Sequence, residues 1–398
     1  MNISRLIPTL FAALVLAVTP LLSLDAQAQS SSGAYDIDRN ISGTTKPYPV
    51  NISGLSGEAL KILQFDLEVG GCDIVSKDSA DYLVTASNKE NIIGKLTDKT
   101  GSIRFFNRSY KNGTTHTQVH ALAADIIKAL TGADSIFGNK IAYCVNTATD
   151  KNEIYIADFD GSNPHKLTND GSMIRGLTWG PDNESLFFCS YRAGNPDIYR
   201  QDLRTGKRTR IAAYLGLNTS PAISPDGKKI AMILSKGGSP DLYVANIDGT
   251  NLKQLTNTKG DESSPCWSPD GTKICFSSRQ SGASRLYVIP AGGGQMKQIK
   301  TSGVGSATEP DWSPDGKSIA FTTTTRRSFQ ICVVPSQGGV VEVLAEGASP
   351  NWASNSRTLI FSRKSGKKSS LVMLDVPTKK SKIIGSVTGS ATQPCWTR

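Results

Sequence analysis

The sequence predicts a six-bladed β-propeller, built of four-stranded antiparallel blades and preceded by a small α/β domain; three observations carry that expectation. A mark formed by Trp179, Ile223, Trp267, Trp312, Trp352 and Trp396 recurs at intervals of 44, 44, 45, 40 and 44 residues, a period characteristic of propeller blades. Four marks open a tight-turn phrase: Gly180-Pro181-Asp182-Asn183, Ser224-Pro225-Asp226-Gly227, Ser268-Pro269-Asp270-Gly271 and Ser313-Pro314-Asp315-Gly316. Before Lys140 the repeat disappears, and helical and strand periodicities alternate instead.

Each repeat carries four strand-like phrases. In one copy they read Ser264-Pro265-Cys266-Trp267, Lys273-Ile274-Cys275-Phe276, Arg285-Leu286-Tyr287-Val288 and Lys297-Gln298-Ile299. Pro presets φ in the turn between the first two, Asp bonds the local backbone, and Gly accepts the final geometry. The array starts on a second-type strand at Lys140 and ends on a first-type strand at Gln393-Pro394-Cys395-Trp396. The last strand is therefore expected to complete the first blade, closing the ring and removing exposed sheet edges.

Residues 137–398 form the propeller in this reading, and residues 47–136 the α/β domain. Helices are predicted from about Ser56 to Glu68 and from Thr115 to Leu130, the second burying Val119, Leu122, Ala123, Ile126, Ile127 and Leu130 and stopping at Gly132. Strands are predicted over Asp81 to Ala86, Ile92 to Leu96 and Ser102 to Tyr110. Residues 29–46, rich in Ser, Gly, Asn and Thr, read as a mobile N-terminal arm. Arg5, the apolar run Leu6 to Leu24 and Ala26-Gln27-Ala28 describe a signal peptide over residues 1–28, cleaved after Ala28. A retained anchor is the rival reading, against which Pro8, Pro20 and the small-residue site weigh. No later segment is apolar enough to cross a bilayer, so stable membrane insertion of the mature chain is not expected.

Cleavage removes one Arg and one Asp, leaving the formal net charge at +10. That balance suits an acidic partner. An exported chain without an aromatic-plus-basic motif is not expected to bind nucleic acid. The cysteines, Cys72, Cys144, Cys189, Cys266, Cys275, Cys332 and Cys395, are odd in number and mostly lie in apolar strand phrases, where a thiol behaves as a small hydrophobe. Cys266 and Cys275 stand symmetrically about a turn and are expected to face each other, as two buried thiols.

Signal peptide, α/β domain and six-bladed propeller, in that order, with the Trp-Ser-Pro-Asp-Gly phrase and the junction Ala129-Leu130-Thr131-Gly132 leading through Phe137 to Lys140-Ile141-Ala142-Tyr143, resemble the TolB family of periplasmic Tol-Pal components. The resemblance implies a non-enzymatic adaptor in the periplasm, and a monomer without cofactor or metal is expected. Its propeller face would bind the lipoprotein Pal and its N-terminal arm TolA, serving outer-membrane integrity and envelope constriction. In the arm, Tyr35, Ile37 and Ile41 are the apolar positions that could meet TolA, with Asp36, Asp38 and Arg39 standing between them.

The turn phrases fall at one end of the ring and the longer variable loops at the other, where function usually resides. Loops leading into the Trp strands there supply Arg175, Asn218, Thr219, Ser220, Asp261, Glu262, Ser263, Ser264, Thr308 and Glu309; by the resemblance these approach Pal. Neighbouring loops hold Arg192, Lys236, Arg279, Arg326, Arg327, Arg363, Lys364, Lys367 and Lys368, a basic rim that could steer an acidic partner or serve solubility alone.

The competing function is an exported propeller enzyme or lectin acting on cell-wall glycan or peptide. No Gly-x-Ser-x-Gly elbow occurs. Asp182, Asp226, Asp270 and Asp315 lie one per blade, too dispersed for paired acid-base work. His116 and His120 have the spacing of a zinc pair, but no Glu lies between them, and they read as two surface-facing helix residues.

Overall fold

The computed structural model describes residues 45–326, 328–387 and 389–397. The signal peptide, the arm through residue 44 and Arg327 lie outside the described residues. The N-terminal domain is a five-stranded sheet carrying two helices. Its elements are β1 (Tyr48–Ser53), α1 (Gly57–Val69), β2 (Cys72–Ile74), β3 (Tyr82–Asn88), β4 (Ile92–Asp98), β5 (Arg104–Tyr110) and α2 (Thr115–Thr131), and the sheet order is β2-β1-β3-β4-β5. β1 pairs in parallel with β2 and β3, while β3, β4 and β5 are antiparallel.

α2 starts where predicted because the Thr114 side chain accepts from the Thr117 N–H, and it stops at Gly132, whose φ of 70° is left-handed. Its expected apolar face is buried against Leu63, Leu67, Val84 and Leu96. β1 and β2 were not anticipated. One begins Tyr-Pro and the other has three residues, so neither carries a legible alternation, although Val50 and Cys72 are fully buried.

Six four-stranded antiparallel sheets follow, each beginning on a marked strand: Ile174–Trp179, Asn218–Ile223, Glu262–Trp267, Thr308–Trp312, Ala348–Trp352 and Ser390–Trp396. We call them blades one to six. The sixth joins Ser390–Trp396 to Lys140–Ala148, Lys151–Asp158 and His165–Lys166, so the C-terminal strand closes the ring as expected. Trp179 of blade one donates its indole N–H to the Cys395 carbonyl at 3.2 Å, and Trp267 donates to the Ala222 carbonyl at 3.0 Å. The five Trp marks are thus buried packing residues, and Ile223 is partly buried. A short parallel pair, Thr301–Ser302 with Gly339–Val340, is an addition the repeat does not announce.

The turn phrases behave as turn chemistry requires. Ser224 Oγ donates to Asp226 at 2.6 Å and Ser268 Oγ to Asp270 at 2.5 Å, and the Ser268 hydroxyl with the backbone N–H of Thr272 holds the Asp270 carboxyl down to about 2. All seven cysteines are buried, and Cys266 and Cys275 are cross-strand partners. Burial pushes the Cys72 and Cys144 thiols up to about 12, which leaves them unreactive at neutral pH.

The α/β domain sits on the turn end of blades five and six. Lys380 and Lys382 of blade five pair with Asp73 and Glu68. His116 meets Asp160 of blade six at 3.1 Å. Among the described residues no helix is long and apolar enough to cross a membrane.

Candidate functional site

The marked strands of all six blades line a central channel of about 1050 Å³. Its wall runs from Asn146, Asp150, Lys151 and Met173 at the variable end to Pro181, Pro225, Pro269 and Pro314 at the turn end. Three residues before each mark, the wall carries Gly176, Ser220, Ser264, Glu309, Ser349 and Gln393, and all six are left-handed, with φ between 48° and 65°. A break in strand register coincides with each. The ring is therefore a hoop of six β-bulges, each bending its inner strand where that strand faces the channel.

Side chains stitch this hoop across blade boundaries. Gln393 Oε1 accepts from the Gly176 N–H at 3.0 Å, and Glu309 Oε2 accepts from the Ser349 N–H at 2.9 Å. Asp311 Oδ2 takes the Trp352 N–H at 2.7 Å, and Asn351 Oδ1 takes the Trp396 N–H at 2.9 Å. The channel carboxylates of Glu309 and Asp311 thus serve as backbone acceptors. Sequence reasoning missed the bulge hoop because only one of its six members is a glycine, so no residue type announces left-handed backbone.

The anticipated partner-binding residues separate by burial. Arg175 and Asp261 are exposed at the variable end; Thr219, Ser220, Ser263, Ser264, Thr308 and Glu309 are half-buried; Asn218 and Glu262 are sealed inside. All but Asp261 belong to the inner strands themselves rather than to the loops leading into them. Arg175, Thr219, Ser220, Ser264 and Glu309 line the channel. Asn218 braces its approaching loop, accepting from the Tyr214 N–H and donating to the Tyr214 carbonyl. Glu262, 2% exposed, accepts from the hydroxyls of Thr258 and Ser278, each at 2.9 Å. Both support the face and cannot touch a partner directly.

The basic rim is placed as the spacing implied. Arg192, Lys236, Arg279, Arg326, Lys364, Lys367 and Lys368 are exposed and Arg363 is half-buried, all at or beside the hairpins joining second to third strands. One feature was not anticipated: Leu215, 91% exposed, stands on the loop entering blade two. Beside it the Lys236 ammonium lies 4.5 Å from the Tyr214 ring centroid.

The expectation of surface-facing histidines is corrected. His120 is only 8% exposed and its Nδ1 lies 2.6 Å from the fully buried Asp66; His116 is half-buried against His120 and Asp160. The helix face they occupy looks solvent-facing from its own periodicity, but α1 and the turn of blade six cover it.

An α/β domain set on one end of a closed propeller, whose six blades repeat a marked inner strand, four of them followed by a Pro-Asp turn, around a stitched channel, defines the architectural class. The family model described as TolB beta propeller domain, PD40, matches residues 127–398. The chain belongs to that family. It is 29% identical over 150 residues to the Tol-Pal system protein TolB of Alkalilimnicola ehrlichii, covering 35% of each chain. Against the protein of the same name from Alcanivorax borkumensis it is 25% identical over 226 residues, covering 54% of this chain and 50% of that one. Such alignments span a third to a half of these curated relatives. The crystal structure of TolB from Acinetobacter baumannii superposes with a TM-score of 0.80 over 89% of this chain and 98% of that one at 24% identity, a likeness of fold.

Proposed function

We propose that the protein is a non-enzymatic periplasmic adaptor of the Tol-Pal system. It binds the outer-membrane lipoprotein Pal at the variable mouth of the propeller and TolA through the arm of residues 29–46, and so supports outer-membrane integrity and constriction at division. The observation that carries this reading is the asymmetry of the ring. The α/β domain occupies the turn end over blades five and six, whereas the opposite mouth presents Arg175, Asp261 and Leu215 to solvent within a basic rim. An apolar anchor ringed by polar and charged groups is the composition of a protein-binding patch. The names of the relatives, Tol-Pal system protein TolB, support the same assignment.

The competing reading, an enzyme or lectin for cell-wall glycan or peptide, needs convergent polar groups aimed into the channel. Of its carboxylates, Glu309 and Asp311 are instead engaged by the backbone and side-chain donors of blade five, and Asp150 stands apart from them at the variable mouth.

The test is retention of Pal by the mature chain, residues 29–398, from its own envelope extract. The control carries Leu215→Asp, Asp261→Arg and Thr308→Arg; buried Glu262 is left intact so that the control folds. Retention by the first chain and not by the control is expected. Retention by neither, together with depletion of peptidoglycan fragments, would overturn the adaptor reading. Deleting residues 29–44 is expected to abolish TolA binding and spare Pal.

A further inference from the structure

Four side chains from three separate elements meet where the α/β domain rests on blade six. Asp66 of α1, His120 and His116 of α2, and Asp160 in the turn after Lys151–Asp158 form a continuous chain. Asp66 Oδ2 lies 2.6 Å from His120 Nδ1, His120 Nε2 lies 3.1 Å from His116 Nδ1, and His116 Nε2 lies 3.1 Å from Asp160 Oδ2. Phe159, fully buried and 4.9 Å from the His120 ring, walls one side; Phe137, at 6.0 Å, walls another.

The hydrogen inventory of this chain does not close. Asp66 fixes the His120 tautomer, because its carboxylate requires an N–H at Nδ1, and that leaves a lone pair on His120 Nε2. His116 must then donate from Nδ1, and its Nε2 turns a second lone pair on the Asp160 carboxylate. Two neutral imidazoles carry two N–H groups, whereas the chain has three contacts, so one place lacks a positive centre.

We propose that a divalent metal ion of borderline softness, zinc in the first instance, binds there through His120 Nε2, an imidazole nitrogen of His116 and Asp160 Oδ2, with water completing the shell. The donor set of two imidazoles and one carboxylate is a zinc set, and four residues along a helix places both imidazoles on one face. One donor atom from each residue lies within 4.8 Å of the others, and His120 Nε2 lies 3.9 Å from Asp160 Oδ2. Tetrahedral bonds of about 2.0–2.1 Å put ligand atoms about 3.3 Å apart, so a small swing of half-exposed His116 and of the Asp160 turn completes the cage. Asp66 stands behind His120 as the carboxylate that orients a metal-binding imidazole, and its other oxygen, Oδ1, is buried without a partner. Two ligands come from the α/β domain and one from the closing blade, so the ion would staple the two together. This site is independent of the partner-binding reading.

The experiment strips the untagged mature chain with chelator, then titrates Zn²⁺ by calorimetry and Co²⁺ by its visible d–d bands at neutral pH. One equivalent bound at micromolar or tighter affinity is expected, with the intense cobalt spectrum of a tetrahedral N/O site and a raised melting temperature. His116→Gln and Asp160→Asn should each weaken binding at least about tenfold, and Asp66→Asn about 10–100-fold as an orienting group. His165→Gln, altering the one other histidine of the sequence, should leave it unchanged. Melting without metal establishes that each variant folds, and if Asp66→Asn does not, the other two decide. No saturable uptake below about 100 µM, or affinity unchanged in both His116→Gln and Asp160→Asn, would overturn the site; a proton would then supply the missing positive centre.

Discussion

Trp179 and Cys395 join the two ends of the ring: the indole of blade one donates to a carbonyl 216 residues further along the chain. The carbonyl belongs to the strand Ser390–Trp396, whose partner Lys140–Ala148 begins the propeller. Trp396 itself is 2% exposed. Truncating the large side chain in Trp396→Ala should therefore cost about 3–5 kcal/mol. Removing residues 393–398 should abolish the single cooperative transition, because an open ring exposes the edge of the blade-six sheet. Calorimetry of both variants checks this, and an unchanged melting temperature in the truncated chain would mean that closure contributes nothing.

The bulge hoop makes a prediction whose sign depends on position. A non-glycine residue in left-handed backbone costs about 1–2 kcal/mol, while a glycine surrenders about 0.5–1 kcal/mol of backbone freedom on folding. At Ser220 and Ser264 the first term wins, and each change to Gly should stabilise by about 0.5–1 kcal/mol in denaturant titration. Glu309→Gly should destabilise despite the same φ, because Glu309 also accepts from Thr322 Oγ1 and from the N–H and Oγ of Ser349. Gly176→Ala should destabilise too, since its Cβ would lie 3.2 Å from Ser220 Cα.

These contrasts also show where legibility in the sequence ended. The helix over Thr115–Thr131 was legible because a cap, an apolar stripe and a stop glycine agree with one another. Blade count and closure were legible because the repeat phase differs at the two ends. The hoop was not, since left-handed backbone at Ser, Glu and Gln leaves no compositional trace. His120 was misplaced because what buries it comes from Asp66, 54 residues earlier, and from Phe159 and Asp160 in another domain. Glu262 was taken for a surface acid for the same reason: Thr258 and Ser278 close over it only once blade three has formed.

The rim carries a kinetic prediction. Arg326, Lys364 and Lys367 are exposed on adjacent hairpins of blades four and five, and exposed charges act on encounter more than on the bound state. Reversing all three to Glu should slow association with an acidic partner by about tenfold at low salt, with little effect on dissociation. Raising ionic strength to physiological levels should shrink the difference, because the screening length falls to about 8 Å. Stopped-flow or surface-binding kinetics at two salt concentrations decide it; an unchanged on-rate would leave the rim as a solubility device.

Glu262 predicts a pH dependence of stability. Burial pushes its carboxyl up to about 7 from 4.5; the Thr258 and Ser278 hydroxyls oppose the shift and nearby Asp241 adds to it. The folded protein therefore holds a proton that the unfolded chain has released between pH 4.5 and about 7, and stability falls as pH rises through that window. Glu262→Gln carries no such charge. It should be more stable than the parent chain above pH 7, with the advantage shrinking as pH falls toward 4.5. Urea midpoints across that range check the sign, and a constant difference at all pH values would assign the effect to packing instead.

Gly71 controls how closely the α/β domain approaches blade five. It lies just before β2 with φ 90°, and a Cβ there would sit 2.6 Å from Asp375 Oδ2 and 3.0 Å from Arg357 Nη2. Those two groups form a buried ion pair, Arg357 Nη2 donating to Asp375 Oδ2 at 2.9 Å, and Asp375 also accepts from the Thr378 N–H. The pair cannot retreat from an added methyl without losing bonds that a buried carboxylate needs, and the backbone at Gly71 is strained for any other residue. Gly71→Ala should cost at least about 2 kcal/mol, and Arg357→Ala about 3–5 kcal/mol because it strands the Asp375 charge. Strain at this contact falls on the seam between domains rather than on either core. Calorimetry of Gly71→Ala should therefore split one transition into two, with the propeller melting near its parent temperature. A single transition shifted as a whole would instead show that the α/β domain and the ring unfold together.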